Sequence, residues 1–218
     1  MASVESGKEG NLIKPLADTV RRLSNKFDLI PHDRKNLLRE LTQFVETKIS
    51  KHAIINLNFI CTHNSRRSHM AQLWAQAAAC YYRVPGIATY SGGTEATAFN
   101  PRAVDTMIKV GFLIKKTSEG QNPFYDATFS SESPPLRIFS KRYDDPFNPS
   151  KDFAAIMTCS HANENCPIVF GAAKRIAITY EDPKDFDGTS REEEQYMERA
   201  LQIGREMLFA FSEVRVRV

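Results

Sequence analysis

The pattern of apolar and polar residues after position 50 predicts strands that alternate with helices. Ile55, Leu57 and Phe59 alternate with polar neighbours, which indicates a buried strand over residues 53–60. From Ser68 onward apolar residues recur at helical spacing, and this favours a helix over 68–82. The same reasoning predicts further strands over 87–91, 153–158 and 175–179, and further helices over 101–110 and 190–212. Strands separated by helices are typical of an α/β fold with a parallel sheet.

The first fifty residues predict a helical extension ahead of this α/β domain. Leu12 to Phe27 and Arg34 to Ser50 are expected to form two helices, with Asp33 as the N-cap of the second. We therefore divide the chain into an N-terminal helical extension, residues 1–50, and a catalytic domain, residues 51–218.

Composition and charge exclude several classes of function. A net charge of +3, without a dense Lys/Arg stripe, gives no reason to expect a nucleic-acid partner. The apolar runs are shorter than a membrane span and the N-terminus is polar, so we expect no membrane association and a cytoplasmic location. In such a location four cysteines indicate reactive thiols or metal ligands, not a disulfide framework.

The strongest chemical signal follows the first predicted strand. Cys61 ends that strand, and after five residues Arg67 and Ser68 open the next helix. The free N–H groups and positive dipole end at a helix N-terminus favour a bound anion, and the same field favours the thiolate of Cys61. Arg67 can donate two N–H groups to an oxyanion. We therefore expect the oxyanion loop, residues 62–68, to hold a tetrahedral anion against Cys61: Thr62, His63, Asn64, Ser65, Arg66, Arg67 and Ser68.

This loop also resembles a known family signature. Cys61-Thr-x-Asn-Ser-x-Arg67-Ser68 is similar to the signature of the low-molecular-weight protein tyrosine phosphatase superfamily, and most similar to the branch that contains the thioredoxin-coupled arsenate reductases. The resemblance covers about residues 53 to 113 and 153 to 212. Its other blocks are Tyr90-Ser-Gly-Gly-Thr-Glu-Ala96, Asn100-Pro101-x-Ala103-Val104, Ile156-Met-Thr-Cys159, Asn163-x-Asn165-Cys166-Pro167 and Glu181-Asp182-Pro183. It implies a three-layer α/β/α fold around a four-stranded parallel sheet.

A general acid is expected at the carboxyl edge of the sheet. Asp182-Pro183 follows the apolar residues Ile176–Thr179, which places the aspartate where the sites of open parallel sheets lie. The resemblance implies that Asp182 is the acid. Glu181 and the second acidic-proline turn, Asp144-Asp145-Pro146, remain as rivals.

Two further cysteines separate the branches of the resembled superfamily. Cys159 and Cys166 are seven positions apart, and in a rigid helix their sulfurs are too distant for a disulfide, so bridging requires this segment to unwind. The resemblance implies a relay in which Cys61 is the arsenate nucleophile, Cys159 the first resolving thiol and Cys166 the outlet thiol. It also implies thioredoxin as an external reductant and no bound cofactor.

The sequence departs from the resembled pattern at several positions. His63 replaces the usual loop glycine and Arg66 replaces a cysteine, which adds positive charge beside the site. Lys184 replaces a tyrosine typical of the phosphatases, and Gln72 replaces a glutamate that binds potassium in some reductases, so no potassium site is expected. A metal site built on Cys159, His161 and Cys166 fits no common zinc spacing, and none is expected.

Residues 114–152 form an excursion from the strand–helix pattern. Two segments, Phe124–Phe129 and Leu136–Tyr143, favour a hairpin beside the mouth of the site, with a surface decoration that has its own small cluster as the alternative.

The predicted function is reduction of the small oxyanion arsenate to arsenite by a cysteine relay. The alternative is hydrolysis of phosphomonoesters through a Cys61 phosphoenzyme, which needs only Cys61, Arg67 and Asp182. A non-catalytic binder or redox sensor on the same fold is the third possibility. The sequence does not predict an oligomeric state.

Overall fold

A computed structural model of the protein describes residues 10–165 and 168–215. A four-stranded sheet and six α-helices make up most of it, together with a smaller three-stranded sheet. In chain order the elements are α1 (Lys14–Ser24), α2 (His32–Ser50), β1 (Ile55–Cys61), α3 (Arg67–Tyr81), β2 (Ile87–Gly93), α4 (Pro101–Lys109), β3 (Leu113–Lys116), β4 (Tyr125–Thr128), β5 (Leu136–Ile138), β6 (Phe153–Met157), α5 (Ser160–Asn165), β7 (Ala172–Ala177) and α6 (Glu192–Ser212). None of the helices in these ranges is long and apolar enough to cross a membrane.

The larger sheet has the strand order β2-β1-β6-β7, and all of its neighbouring strands are parallel. The predicted four-stranded parallel sheet is therefore confirmed. The strands predicted over 53–60 and 175–179 lie at 55–61 and 172–177 in the structure. In the second of these, Lys174 and Arg175 lie outside any apolar run, so the sequence pattern places this edge strand too late.

Helices and loops cover both faces of the sheet, which gives the predicted three-layer arrangement. On one face Ile55, Leu57 and Phe59 belong to the main core together with α3 and α6. On the other face Ile60 and Met157 belong to a smaller buried cluster that α5 and Tyr143 cover. A side chain at Gly204 would collide with the indole of the buried Trp74, so glycine lets α6 approach α3 closely.

The N-terminal helices pack on the same side as α6. Both α1 and α2 contact α6, and α2 also contacts β7. The expectation that Asp33 caps α2 is wrong: the helix begins at His32 after Pro31, and Asp33 lies in the first turn. Pro31 occupies the N-cap position, and proline has no side-chain acceptor, so the helix begins without a side-chain cap.

The excursion contains the hairpin expected from the sequence. Strands β4 and β5 pair antiparallel, and β3, which the periodicity did not predict, pairs with β4 as the other edge strand. The chain then returns along the carboxyl end of the large sheet, where Arg142 forms a parallel bridge with Gly93. The excursion therefore reaches the edge of the sheet at which the oxyanion loop lies.

Candidate active site

The oxyanion loop turns its carbonyl groups outward. The carbonyl of Cys61 accepts from Thr94 N, that of Thr62 from Glu95 N, and that of Ser65 from Asn100 N. Within the described part of the chain, the backbone N–H groups of residues 62–68 donate no hydrogen bond. A concave row of unpaired amides beside the start of a helix is an anion-binding arrangement.

Asn64 shapes this loop and fixes its end. It is the residue of the loop with left-handed backbone, at φ 44°, which asparagine tolerates better than most residues. Its Nδ2 donates to Ser68 Oγ over 2.8 Å, and Ser68 Oγ lies 3.1 Å from Cys61 Sγ. The hydroxyl therefore accepts a hydrogen bond from Asn64 and can donate its own hydrogen to the sulfur.

Both departures in the loop have a structural explanation. His63 stands outside the left-handed region, so the chain does not need glycine at this position. Its side chain is half exposed, with Nε2 3.7 Å from the Glu95 carboxylate. The Arg66 guanidinium is directed toward α6, where it donates to Tyr196 Oη over 2.7 Å and to Asp187 over 3.2 Å. Its positive charge is thereby paired, while its backbone N–H stays in the cradle.

Arg67 brings the expected general acid to the loop. Its Nη2 lies 2.6 Å from Asp182 Oδ2, and its Nη1 donates to the Tyr180 carbonyl over 2.9 Å. Asp182 also accepts from Lys184 N over 3.2 Å, at the start of a short 3₁₀ turn. The guanidinium and the carboxylate are both largely buried. The loop after β7 therefore delivers its carboxylate to the same edge of the sheet as Cys61.

The rival acids are placed differently. Glu181 is exposed beside Asp182. Asp144 is paired with Arg142, and this hydrogen bond lowers the pKa of the Asp144 carboxyl, which therefore stays ionised. Asp145 caps its own turn through a bond from Phe147 N. Among the four carboxylates considered from the sequence, Asp182 is the one in contact with Arg67.

The second cysteine of the expected relay touches the oxyanion loop. Cys159 is buried at the end of β6, and its Sγ lies 3.5 Å from Thr62 Oγ1. The N–H of Ala162 in α5 donates to this sulfur over 3.3 Å. Cys61 and Cys159 belong to the same buried cluster. Cys166, the third expected thiol, lies outside the described residues.

Supports from the excursion were missed by the sequence reasoning. Ser140 Oγ donates to the His63 carbonyl over 3.0 Å, and Lys141 N donates to Asn64 Oδ1 over 2.9 Å. Lys141 O accepts from Gly93 N over 2.9 Å. These residues lie 77 positions along the chain from the loop, and no local pattern marks them. The available sequence signal for a close approach to the loop was the resembled block around Gly93. A Cβ at Gly93 would collide with the backbone of the oxyanion loop, so this position requires glycine.

Two buried bases lie beside this support. Burial lowers the pKa of Lys141 to about 8, and its ammonium lies 4.4 Å from the ring centroid of Phe139 and 5.2 Å from that of Phe147. Burial, together with the charge of Lys141, lowers the pKa of His69 well below its ordinary value. His69 is therefore neutral at neutral pH, with Nδ1 3.0 Å from Ser91 Oγ. Among the described residues, no group of three His, Cys, Asp or Glu side chains is placed to hold a metal ion.

Comparison with known proteins adds relatives in sequence and in structure. No protein-family model matches the chain. Arsenate reductase 2 of Staphylococcus epidermidis is 30% identical over 127 residues, which are 57% of this chain and 76% of that protein. The arsenate reductase of Bacillus subtilis is 28% identical over 141 residues, which are 65% of this chain and 83% of that protein.

Solved structures show lower similarity. An arsenate reductase in the phosphate binding state is 19% identical, with a TM-score of 0.44 over 74% of this chain and 100% of that one. A low-molecular-weight phosphotyrosine phosphatase from Vibrio cholerae is 15% identical, with a TM-score of 0.47 over 71% and 93%. The sequence relatives, not these structures, establish the family. The chain is an enzyme that belongs to the low-molecular-weight protein tyrosine phosphatase superfamily, on the branch that contains the arsenate reductases.

Proposed function

We propose that this enzyme reduces arsenate to arsenite by a relay of cysteine thiols. The observation that carries the proposal is the pairing of two features at one loop. Unpaired amides surround Cys61, and a second buried thiol, Cys159, is within hydrogen-bonding distance of Thr62 in the same loop. An oxyanion cradle serves phosphate and arsenate alike, whereas an adjacent second thiol is useful to a reaction that transfers two electrons.

Binding uses the amides of residues 62–68 and the guanidinium of Arg67. The amides supply hydrogen bonds to the equatorial oxygens of the tetrahedral anion, and they need no rearrangement because they are already free. Arg67 is held by Asp182 and the Tyr180 carbonyl, so it is already oriented when the anion enters. Such preorganised donors stabilise the additional negative charge of the transition state.

The first step forms a bond between sulfur and arsenic. The Cys61 thiolate accepts a hydrogen bond from the Ser68 hydroxyl. It attacks arsenic, and a hydroxide leaves. Asp182 protonates this hydroxide, which departs as water. The contact of Asp182 with Arg67 supports this role, because Arg67 is also a proposed ligand of the bound anion.

Later steps transfer the oxidising equivalents outward. Cys159 attacks the Cys61 sulfur, so that a disulfide forms and the electron pair of the S–As bond remains on arsenic, which leaves as arsenite. Cys166 then attacks Cys159 and releases Cys61. Seven residues of rigid helix span about 10 Å, so α5 must unwind to allow this disulfide. Thioredoxin reduces the final disulfide and closes the cycle.

A test uses arsenite release with thioredoxin and its reductase supplied. Cys159→Ser is expected to bind arsenate but to lose steady-state arsenite release entirely, because the resolving thiol is missing. Cys80→Ser is the matched control, since Cys80 is half-buried in α3 and has no part in the relay. Wild-type turnover by Cys159→Ser would overturn the relay.

A second candidate function is phosphomonoester hydrolysis, because Cys61, Arg67 and Asp182 form a complete set without Cys159. In this reaction water hydrolyses a Cys61 phosphoenzyme with Asp182 as the acid and base. Hydrolysis of an aryl phosphate by Cys159→Ser/Cys166→Ser, together with its loss in Cys61→Ser, would support this activity. A rate equal to that of Cys61→Ser would exclude it.

A further inference from the structure

A chain of three polar groups links the buried Cys159 to the surface. Thr62 Oγ1 lies 3.5 Å from Cys159 Sγ and 3.2 Å from His161 Nδ1. A threonine hydroxyl accepts one hydrogen bond and donates another, so it can receive a hydrogen from the thiol while it donates its own to the imidazole. The three groups therefore form a continuous path for one proton.

The two ends of this path differ in their access to solvent. Cys159 is 1% exposed, whereas His161 is exposed. A thiol that must become a nucleophile inside the protein needs a route for its proton, and an exposed imidazole can receive that proton and exchange it with water. After the proton leaves, the N–H of Ala162, 3.3 Å from the sulfur, stabilises the thiolate.

Among the described residues, two other ionisable groups lie near this path. Cys61 shares the buried cluster with Cys159. The Arg175 guanidinium donates to the carbonyl of Asn163 over 2.5 Å and to its side chain over 2.7 Å, so its positive charge lies against the same short helix. Neither the Cys61 sulfur nor the Arg175 guanidinium belongs to the hydrogen-bonded path from Cys159 through Thr62 to His161.

We propose that His161 is the base that accepts the proton of Cys159, through the hydroxyl of Thr62. This rests on the proposed relay. The thiol proton moves to the Thr62 oxygen as the hydroxyl proton moves to His161 Nδ1. The electron pair left on Cys159 attacks the Cys61 sulfur, and the S–As pair stays on arsenic, which is reduced from As(V) to As(III).

Single-turnover release of arsenite tests this role. His161→Ala is expected to slow release about 100-fold, the lower end of what general base catalysis contributes, and added imidazole is expected to restore part of the rate. Glu164→Ala, an exposed change in the same helix, is the matched control and should leave the rate unchanged without any response to imidazole. A rate unaffected by His161→Ala, or a loss that imidazole does not restore, would overturn the proposal.

The bridging hydroxyl has its own test. Thr62→Val removes the hydroxyl and keeps the branched shape and the backbone N–H. It is expected to slow release as much as His161→Ala, and the double variant should be no slower than either single one. Multiplicative losses would show that Thr62 and His161 act separately and would overturn the pathway.

A readout without arsenate separates this proposal from the proposed function. In Cys61→Ser/Cys80→Ser/Cys166→Ser, Cys159 is the remaining thiol, and its alkylation by iodoacetamide can be followed by mass spectrometry. His161→Ala should slow this alkylation, and imidazole should restore it. If the wild type releases no arsenite but this effect persists, the arsenate reaction fails and the proton path stands. If alkylation is independent of His161, the path itself fails.

Discussion

The backbone N–H of Lys141 donates to Asn64 in the oxyanion loop, while the Lys141 ammonium lies buried between Phe139 and Phe147. Its pKa falls from 10.5 to about 8 because burial disfavours the charged form. Between these two pH values the unfolded chain binds more protons than the folded protein, so the free energy of unfolding rises with pH. Below pH 8 both states are protonated, and the full cost of burying the charge is present.

Comparison with Lys141→Met tests this pH dependence. Between pH 8 and pH 10.5 the stability of the wild type is expected to increase relative to Lys141→Met, by about 3 kcal/mol in total. Urea unfolding at a series of pH values measures it. Lys115→Met, at an exposed lysine of β3, should track the wild type over the same range. Parallel stability curves for the wild type and Lys141→Met would contradict the expected shift.

Asn64 has two separable roles, its backbone angle and its side-chain bonds. Asn64→Gly keeps the left-handed backbone and loses the bonds to Ser68 and Lys141, whereas Asn64→Ala loses both. Both variants should lose most of the Cys61-dependent activity, and Ala should be about 1 kcal/mol less stable than Gly because of the strained φ. Thermal unfolding and steady-state rates measure the two effects. Equal stability of the two variants would show that the backbone relaxes at this position.

At the scale of elements, α2 is joined to the loop that precedes Asp182. Arg34 donates to Glu206 over 2.7 and 2.9 Å and to the Thr179 carbonyl over 3.0 Å, and its guanidinium lies 4.8 Å from the centroid of the Tyr180 ring. Glu206 is 3% exposed. The N-terminal extension therefore supports the carboxyl end of β7, where the expected acid begins.

Removal of this arginine leaves a buried carboxylate without its partner. Arg34→Met is expected to lower the free energy of unfolding by about 3–5 kcal/mol, the range found when one member of a buried ion pair is removed. Arg39→Met is the matched control, because Arg39 also joins α2 to the end of α6, at Glu213, but both side chains are about a third exposed. Its cost should stay under about 1 kcal/mol.

Chemical denaturation of the two arginine variants distinguishes these cases. The double variant Arg34→Met/Glu206→Leu should recover most of the loss, because it removes the unpaired charge as well. If Arg34→Met and Arg39→Met lower the free energy of unfolding equally, the buried ion pair stabilises the fold no more than the exposed one.

At the scale of the whole molecule, the oxyanion loop is held by segments distant in sequence. The residues that bond to it are Thr94, Glu95, Thr97, Asn100, Ser140 and Lys141. Binding of an anion to this loop is therefore expected to stabilise the whole protein, because the loop keeps its shape only when these segments are in place.

Inorganic phosphate is a suitable probe of this coupling. At a hundred times its Kd, phosphate should raise the free energy of unfolding by about 2.7 kcal/mol, which corresponds to several degrees in Tm for a protein of this size. Arg67→Met should lose most of this shift, whatever its own Tm, and Lys115→Met should keep it. A phosphate shift that persists in Arg67→Met would place the anion elsewhere.

The sequence determined the parts of this protein that depend on local physics. Alternation and helical spacing predicted the sheet strands and the main helices within a few residues. Asparagine is a common N-cap residue, and Asn100 caps α4, with its side chain accepting from Arg102 N. The spacing from Cys61 to Ser68 predicted a loop at a helix N-terminus, because a strand, a tight turn and a helix in direct succession have few alternatives.

Tertiary structure alone decided what surrounds that loop. Asp182, and not Glu181, contacts Arg67, and the Arg66 guanidinium is directed toward Tyr196 and Asp187. The backbone N–H of Lys141, in the excursion, donates to Asn64, and no pattern in the sequence predicts this bond. Such partners meet because strands end at one edge of a sheet, and a hydrogen bond between residues far apart in the chain leaves no periodic trace.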